Sequence, residues 1–86
     1  MDTGMLIANR ILALCTEKNI TLNKLSFLCG ITQSTLNNII HGGSKNPTVD
    51  TVRRICTGLN MPMKSFFDTP EFDAATRIDT NTENGL

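Results

Sequence analysis

The 86-residue chain is long enough for one compact domain, and its hydrophobic fraction of 40% is slightly low for complete packing, so part of it is expected to be unpacked. No apolar run approaches the ~18 residues that a membrane helix needs, and no secretory signal is recognisable, so we expect a cytoplasmic protein with no membrane partner. Seven basic and four acidic side chains give residues 1–68 a charge of +3, while one basic and four acidic ones give residues 69–86 a charge of −3, a distribution that permits nucleic-acid binding without establishing it.

The first helix is predicted over about Met5–Lys18, where apolar residues recur at helical spacing. Asp2 or Thr3 can cap its start through a side-chain oxygen. Asn19 follows its last residue and readily adopts the left-handed conformation that ends helices.

Two short helices follow, with a brief connection between them. Thr21 offers the N-cap of the second helix, and Gly30 follows its last apolar residue, where a left-handed glycine commonly ends a helix. Thr32 offers the N-cap of the third helix, which ends at Gly42. Two short helices joined by so few residues cannot lie antiparallel, so they must cross steeply, as in a helix-turn-helix.

Two more helices are predicted after the loop that follows Gly42. Thr48 offers the N-cap of the fourth helix, which is expected to end near Gly58–Asn60. A fifth, short helix is predicted over Met63–Phe67, and Pro62 suits its first turn.

The chain therefore divides into two parts. Residues 1–68 are predicted to form an all-α bundle of about five short helices that contains a helix-turn-helix. Residues 69–86 are acidic and contain few apolar side chains, too few to offset the entropy lost on ordering. We therefore predict that residues 69–86 form a disordered tail.

The residue types that carry most catalysis and metal binding are sparse. Cys15, Cys29 and Cys56 are widely spaced in apolar stretches, which favours reduced thiols in a core over a disulfide or zinc site. His41 is the one histidine, and no nucleophile or carboxylate lies at a suggestive spacing from it. We expect no enzyme activity, no metal, no cofactor and no small-molecule ligand.

The third helix combines an apolar stripe with an uncharged polar face. Leu36, Ile39 and Ile40 would pack inward. The opposite face would then present Gln33, Ser34, Asn37, Asn38 and His41. Amides can pair bidentately with adenine in the major groove, which favours base reading, although ordinary surface polarity is an equally good interpretation from this helix alone.

Candidate phosphate ligands flank this helix on both sides. Thr21 and Thr32 lie at helix N-termini, whose free amides and positive dipole attract anions. The loop over residues 42–46 is rich in small and polar residues and carries Lys45. Contacts of this kind position a protein on a duplex without reading its sequence.

Several spacings agree with one known pattern. They are Leu25 followed by Gly30, the run Ile31-Thr32-Gln33-Ser34-Thr35-Leu36, the loop glycine Gly42, Asn46-Pro47-Thr48, and Gly58-Leu59-Asn60-Met61. Over about Ile11–Phe67 the chain resembles the Cro and phage-repressor family of helix-turn-helix domains, also called Xre-like or lambda-repressor-like. The resemblance implies a five-helix bundle whose third helix enters the major groove of double-stranded DNA.

The resemblance also implies roles for individual residues. Gln33, Ser34 and Asn38 match positions that read bases, with Thr35 and Asn37 beside them. Positions that contact phosphate match Thr21, Asn23, Ser44, Lys45 and Asn46, and we add Lys24 and Thr32 to this set.

The chain departs from the family pattern at three positions. Leu22 stands where the family commonly has a glutamine that contacts phosphate and supports the first residue of the recognition helix. Cys15 and Ile40 occupy positions where the family often pairs an arginine with a glutamate. Replacing both members of a buried ion pair by apolar groups can be neutral or stabilising.

The expected function is a transcriptional regulator, a repressor, that binds a palindromic operator as a homodimer. Phe66 or Phe67 in the fifth helix is the expected subunit contact. The alternative is a protein-interaction module, such as an antitoxin-like partner or an adaptor that has kept the fold. The zero net charge and Leu22 are the features that support this alternative.

Overall fold

The computed structural model describes residues 2–42 and 46–77, and these form α-helices without strands. The helices are α1 (Thr3–Lys18), α2 (Leu22–Cys29), α3 (Gln33–Ile40), α4 (Val49–Gly58), α5 (Met63–Phe67) and α6 (Pro70–Thr76). The prediction of an all-α bundle containing a helix-turn-helix is confirmed. The first five helices correspond to the five expected from the sequence, and α6 is an addition.

The predicted helix boundaries follow from local capping. The side chains of Thr21, Thr32 and Thr48 each accept a hydrogen bond from the backbone N–H three residues further on, at 3.0 to 3.1 Å. Asn19 ends α1 at φ 56°, and Gly30 ends α2 at φ 67°. Both lie in the left-handed region, which asparagine and glycine tolerate best.

The apolar stripes of the helices meet in one core. Its most deeply buried side chains include Ile11, Leu25, Ile55 and Phe66, which come from four different helices. α1 packs against α3, and α2 packs against α4. α1 therefore covers the inner face of α3, and α4 packs against α2.

A side-chain hydrogen bond stabilises the turn between α2 and α3. The buried hydroxyl of Ser26 donates a hydrogen bond to the carbonyl oxygen of Ile31, at 2.5 Å. The left-handed Gly30 lies between these two residues. Because this bond spans the turn, it fixes the angle at which α3 leaves α2.

Arg10 joins the first helix to the fifth, a contact that the sequence pattern did not reveal. Its Nε donates to the carbonyl oxygen of Phe66 at 2.7 Å, and its Nη2 donates to that of Ser65 at 2.9 Å. The guanidinium also lies 5.9 Å from the centre of the Phe66 ring. A cation at the carboxyl end of α5 satisfies carbonyls that the helix itself leaves unpaired.

The prediction of a disordered tail is wrong for α6. Thr69 caps this helix by accepting a hydrogen bond from the backbone N–H of Phe72, at 3.4 Å. The half-buried Phe72 packs against the core, and its ring centre lies 5.0 Å from that of Phe67. One aromatic side chain thus anchors a short acidic helix, which average composition could not reveal. Residues 78–86 of the predicted tail lie outside the described residues.

The three cysteines are free thiols in the core, as predicted. Burial, together with the neighbouring thiols of Cys15 and Cys56, raises the pKa of the Cys29 thiol to about 11. The same thiol contacts the carbonyl oxygen of Ile55 at 3.8 Å. A thiol in this environment stays protonated and is a poor nucleophile.

This pKa predicts a loss of stability in alkaline solution. Below the ordinary cysteine pKa of about 8.5 the thiol is protonated in both states, so its contribution to stability is complete. Between about pH 8.5 and pH 11 the unfolded thiol is largely ionised while the folded Cys29 is not, so the free energy of unfolding falls. Urea unfolding at several pH values measures this slope, and we expect it to be shallower in Cys29→Ala. An equal slope in both proteins would contradict the assignment.

Candidate nucleic-acid interface

The inner face of α3 determines which of its side chains reach solvent. Leu36 and Ile39 are only 1% and 2% exposed, and Ile40 is partly buried against the core. The residues on the outer side of the helix are all exposed: Gln33, Ser34, Thr35, Asn37 and Asn38. The orientation expected from the sequence is therefore the observed one, and the role of these side chains in reading bases stays a prediction.

The outer face of α3 is made of amides and hydroxyls without a formal charge. Each amide offers both a donor and an acceptor, and each hydroxyl can act as either. His41 follows as the exposed C-cap residue, with its backbone N–H bonded to the carbonyl oxygen of Asn37 at 2.9 Å. Such a surface matches the mixed donor and acceptor pattern along the major groove.

Gln33, the first residue of α3, forms a hydrogen bond with a residue of α2. The Gln33 Nε2 donates a hydrogen bond to the Asn23 Oδ1, and both side chains are exposed. Leu22, the neighbour of Asn23, is instead partly buried against the core. Asn23 therefore contacts α3 directly, and its predicted contact with phosphate remains untested.

At the start of α3, a hydrogen bond between two threonine hydroxyls determines which of them can still donate. The Thr32 hydroxyl accepts from the backbone N–H of Thr35 at 3.1 Å and donates to the Thr35 Oγ1 at 2.9 Å. The proton of Thr32 is thus occupied, while that of Thr35 is left to donate outward. Thr35 can therefore donate to a base or phosphate acceptor, whereas Thr32 offers chiefly its position at the helix N-terminus.

The other candidate phosphate ligands are only partly covered by the structure. Thr21 is exposed, and because its oxygen accepts from the backbone N–H of Lys24 at 3.0 Å, its own proton can be donated. The Lys24 ammonium lies 5.5 Å from the centre of the Phe27 ring. Asn46 is exposed, whereas Ser44 and Lys45 lie outside the described residues.

Comparison with known proteins agrees with this geometry. The helix-turn-helix family profile matches residues 11–66, more than half of the chain. The chain belongs to the Xre-like helix-turn-helix family. It is also similar to the crystal structure of the prophage Lp1 protein 11, with a TM-score of 0.76, 34% sequence identity, and coverage of 91% of this chain and 100% of that one. No curated protein matches the chain significantly.

Membership of this family identifies a DNA-binding helix-turn-helix protein of the regulator class. The two apolar departures from the family pattern fit the fold. Cys15 is buried and Ile40 is partly buried against the same core, so neither leaves an unpaired charge inside the domain. The double replacement is thus compatible with packing.

The arginines of α4 of this helix-turn-helix protein are paired within their own helix. Arg53 and Arg54 contact the two carboxylate oxygens of Asp50 at 3.0 and 3.1 Å. The hydrogen bond from Arg53 is the main cause that lowers the pKa of the Asp50 carboxyl. These exposed pairs contribute little to stability, and they partly neutralise the positive charge of α4.

The burial of Phe66 rules it out as the expected subunit contact. Phe66 is 0% exposed and packs in the core of its own chain, so it cannot also cover a second copy in this conformation. Phe67 is 36% exposed and lies 5.0 Å from the ring centres of both Phe66 and Phe72. Only Phe67 of this pair retains a surface that a partner could cover.

Within residues 2–42 and 46–77, no three side chains of histidine, cysteine, aspartate or glutamate are grouped so that they could hold a metal ion. No helix in the described part of the chain has the length and apolar character to cross a membrane.

Proposed function

We propose that this protein is a sequence-specific transcriptional repressor that reads the major groove of double-stranded DNA with α3. The observation that carries the proposal is the outer face of α3, where exposed amides and hydroxyls stand opposite the buried Leu36 and Ile39. Because Leu36 and Ile39 pack in the core, α3 turns its polar side chains outward, toward any surface that the helix would enter.

The exposed groups suggest which contacts are made. The amides of Gln33 and Asn38 can each pair with the N6 and N7 groups of adenine. Ser34, Thr35 and Asn37 lie beside them, and the free Thr35 proton can reach an acceptor on a base or a phosphate. Thr21 and Lys24 at the start of α2 would contact the phosphate backbone and set the register of α3 in the groove.

A homodimer on a palindromic operator would complete the site. One small module buries little DNA surface and rarely reaches tight, specific binding by itself. Two copies would place their α3 helices on half-sites about 34 Å apart, one turn of the duplex. The exposed part of Phe67 is the proposed subunit contact. Repression follows because a dimer bound across a promoter blocks polymerase without needing any further activity.

A second candidate function, a protein-interaction module, has one structural observation in its favour. Phe27 on α2 is 79% exposed, an unusual position for an aromatic side chain. The support from Leu22 is weaker, because Leu22 packs against the core and Asn23 contacts Gln33 in its place. Capture of one stoichiometric protein partner, together with absent DNA binding, would favour this alternative.

Selection of DNA from a random pool by the purified protein tests the proposed function. We expect the bound sequences to share a palindrome whose half-sites are about 34 Å apart and contain adenine at amide-contacted positions. A reporter whose promoter contains this palindrome should lose expression when the protein is supplied. Recovery of a random set of sequences would refute sequence-specific regulation.

A further inference from the structure

We propose that Asn23 is a positioning residue that sets the base preference of Gln33, and that this is its role rather than binding phosphate. The proposal rests on the proposed function, because it concerns how α3 reads DNA. It assigns a specificity-determining role to a residue that lies outside the recognition helix.

The fold brings these two side chains together at a fixed separation. Asn23 is the second residue of α2 and Gln33 is the first residue of α3. The hydrogen bond from Ser26 to Ile31 fastens the turn between the two helices. In the free protein the Gln33 amide therefore already meets the Asn23 oxygen.

The contact occupies one part of the glutamine amide and leaves the rest available. A primary amide has two N–H donors and one carbonyl acceptor. One N–H of Gln33 is donated to the Asn23 Oδ1, which leaves one N–H and the Oε1 for DNA. Adenine requires one donor and one acceptor from its partner in the major groove, whereas guanine presents two acceptors. The contact with Asn23 therefore favours the orientation that reads adenine.

Exposure explains why the contact matters in the complex more than in the free protein. Both side chains are exposed, so the contact adds little to the stability of the fold. When α3 enters the groove, a glutamine that is already oriented loses less conformational freedom on binding. The effect of Asn23 should therefore be seen in discrimination between bases and not in unfolding.

The test measures affinity against the selected operator and against each single base-pair replacement in it. Four proteins are compared with wild type: Asn23→Ala, Asn23→Asp, Gln33→Ala and the double variant Asn23→Ala/Gln33→Ala. We expect Asn23→Ala to lose about tenfold discrimination at the base pair where Gln33→Ala also loses it, the effect of one misplaced amide pair. In the Gln33→Ala background, Asn23→Ala should have no further effect, because it acts through Gln33.

Asn23→Asp separates orientation from charge. The carboxylate can only accept, so it still holds the Gln33 Nε2 and should keep the preference at that base pair. Its negative charge should weaken binding to all sequences alike through repulsion by phosphate. Lys24→Ala is the matched neighbour, and we expect it to reduce the salt dependence of binding without changing any base preference.

Two results would count against the proposal, and they differ in what else they affect. If Asn23→Ala weakens binding to every sequence equally and reduces the salt dependence, Asn23 is a phosphate ligand and only this inference fails. If the wild-type protein shows no preferred sequence and Gln33→Ala changes nothing, the proposed function fails as well. Circular dichroism of each variant establishes that the helices are retained in either case.

Discussion

A protein carrying both Gln33→Ala and Asn38→Ala should bind its selected operator at least about 30-fold more weakly than wild type. Each amide that pairs with a base contributes roughly 1–3 kcal/mol of discrimination, so two of them correspond to roughly 2–6 kcal/mol, a loss of about 30-fold or more. Both side chains are exposed, so their removal should leave the core and the unfolding temperature unchanged. Fluorescence anisotropy with a labelled operator at fixed salt measures the loss.

The double variant should lose affinity for the operator but not for DNA in general. Binding to unrelated DNA should be nearly unaffected, since this depends on phosphate contacts and not on the amides of α3. Thr16→Ala is a suitable control, because Thr16 is exposed on α1, outside the recognition helix. Unchanged operator affinity in the double variant would show that α3 does not read bases in the way proposed.

Helix positions could be predicted from the sequence because the signals that set them are local. Thr21, Thr32 and Thr48 act on amides three residues away, and Gly30 ends α2 through its own backbone conformation. The stripe of Leu36 and Ile39 likewise determines the outward face of α3 through helical spacing. Each of these features is determined within one or two turns of helix.

Contacts between distant residues could not be predicted in the same way. Arg10 meets carbonyl oxygens more than fifty residues away, and Asn23 meets Gln33 across the turn, through geometry that exists only after folding. Phe72 was also missed, because one aromatic side chain in an acidic segment is too weak a signal to outweigh the segment's composition. The alternative of a protein-interaction module drew support from Leu22, and the neighbouring residue proved to hold Gln33.

The other large effect is expected from Gly58→Ala, where α4 crosses α2. A Cβ atom at residue 58 would lie 2.7 Å from the Cys29 Sγ, 2.9 Å from the Cys29 backbone nitrogen and 2.9 Å from the Leu28 carbonyl carbon. Two of these atoms belong to the backbone, so α2 itself must move. Alanine favours a helix over glycine by about 1 kcal/mol, but overpacking costs typically 1–3 kcal/mol and occasionally more. We expect the clash to dominate and to lower the free energy of unfolding by about 2 kcal/mol.

Urea unfolding of Gly58→Ala, with the exposed neighbour Thr57→Ala as a control, measures this cost. In a Cys29→Ala background the contact with sulfur disappears while the two backbone contacts remain, so Gly58→Ala should still destabilise that protein, but less. A variant more stable by the helix preference of alanine would show that α2 and α4 do not approach this closely. Because Thr21 caps α2 and Asn23 lies within it, a shift of α2 away from α4 should also misplace both residues relative to α3. Operator affinity should therefore fall even at temperatures where Gly58→Ala remains folded.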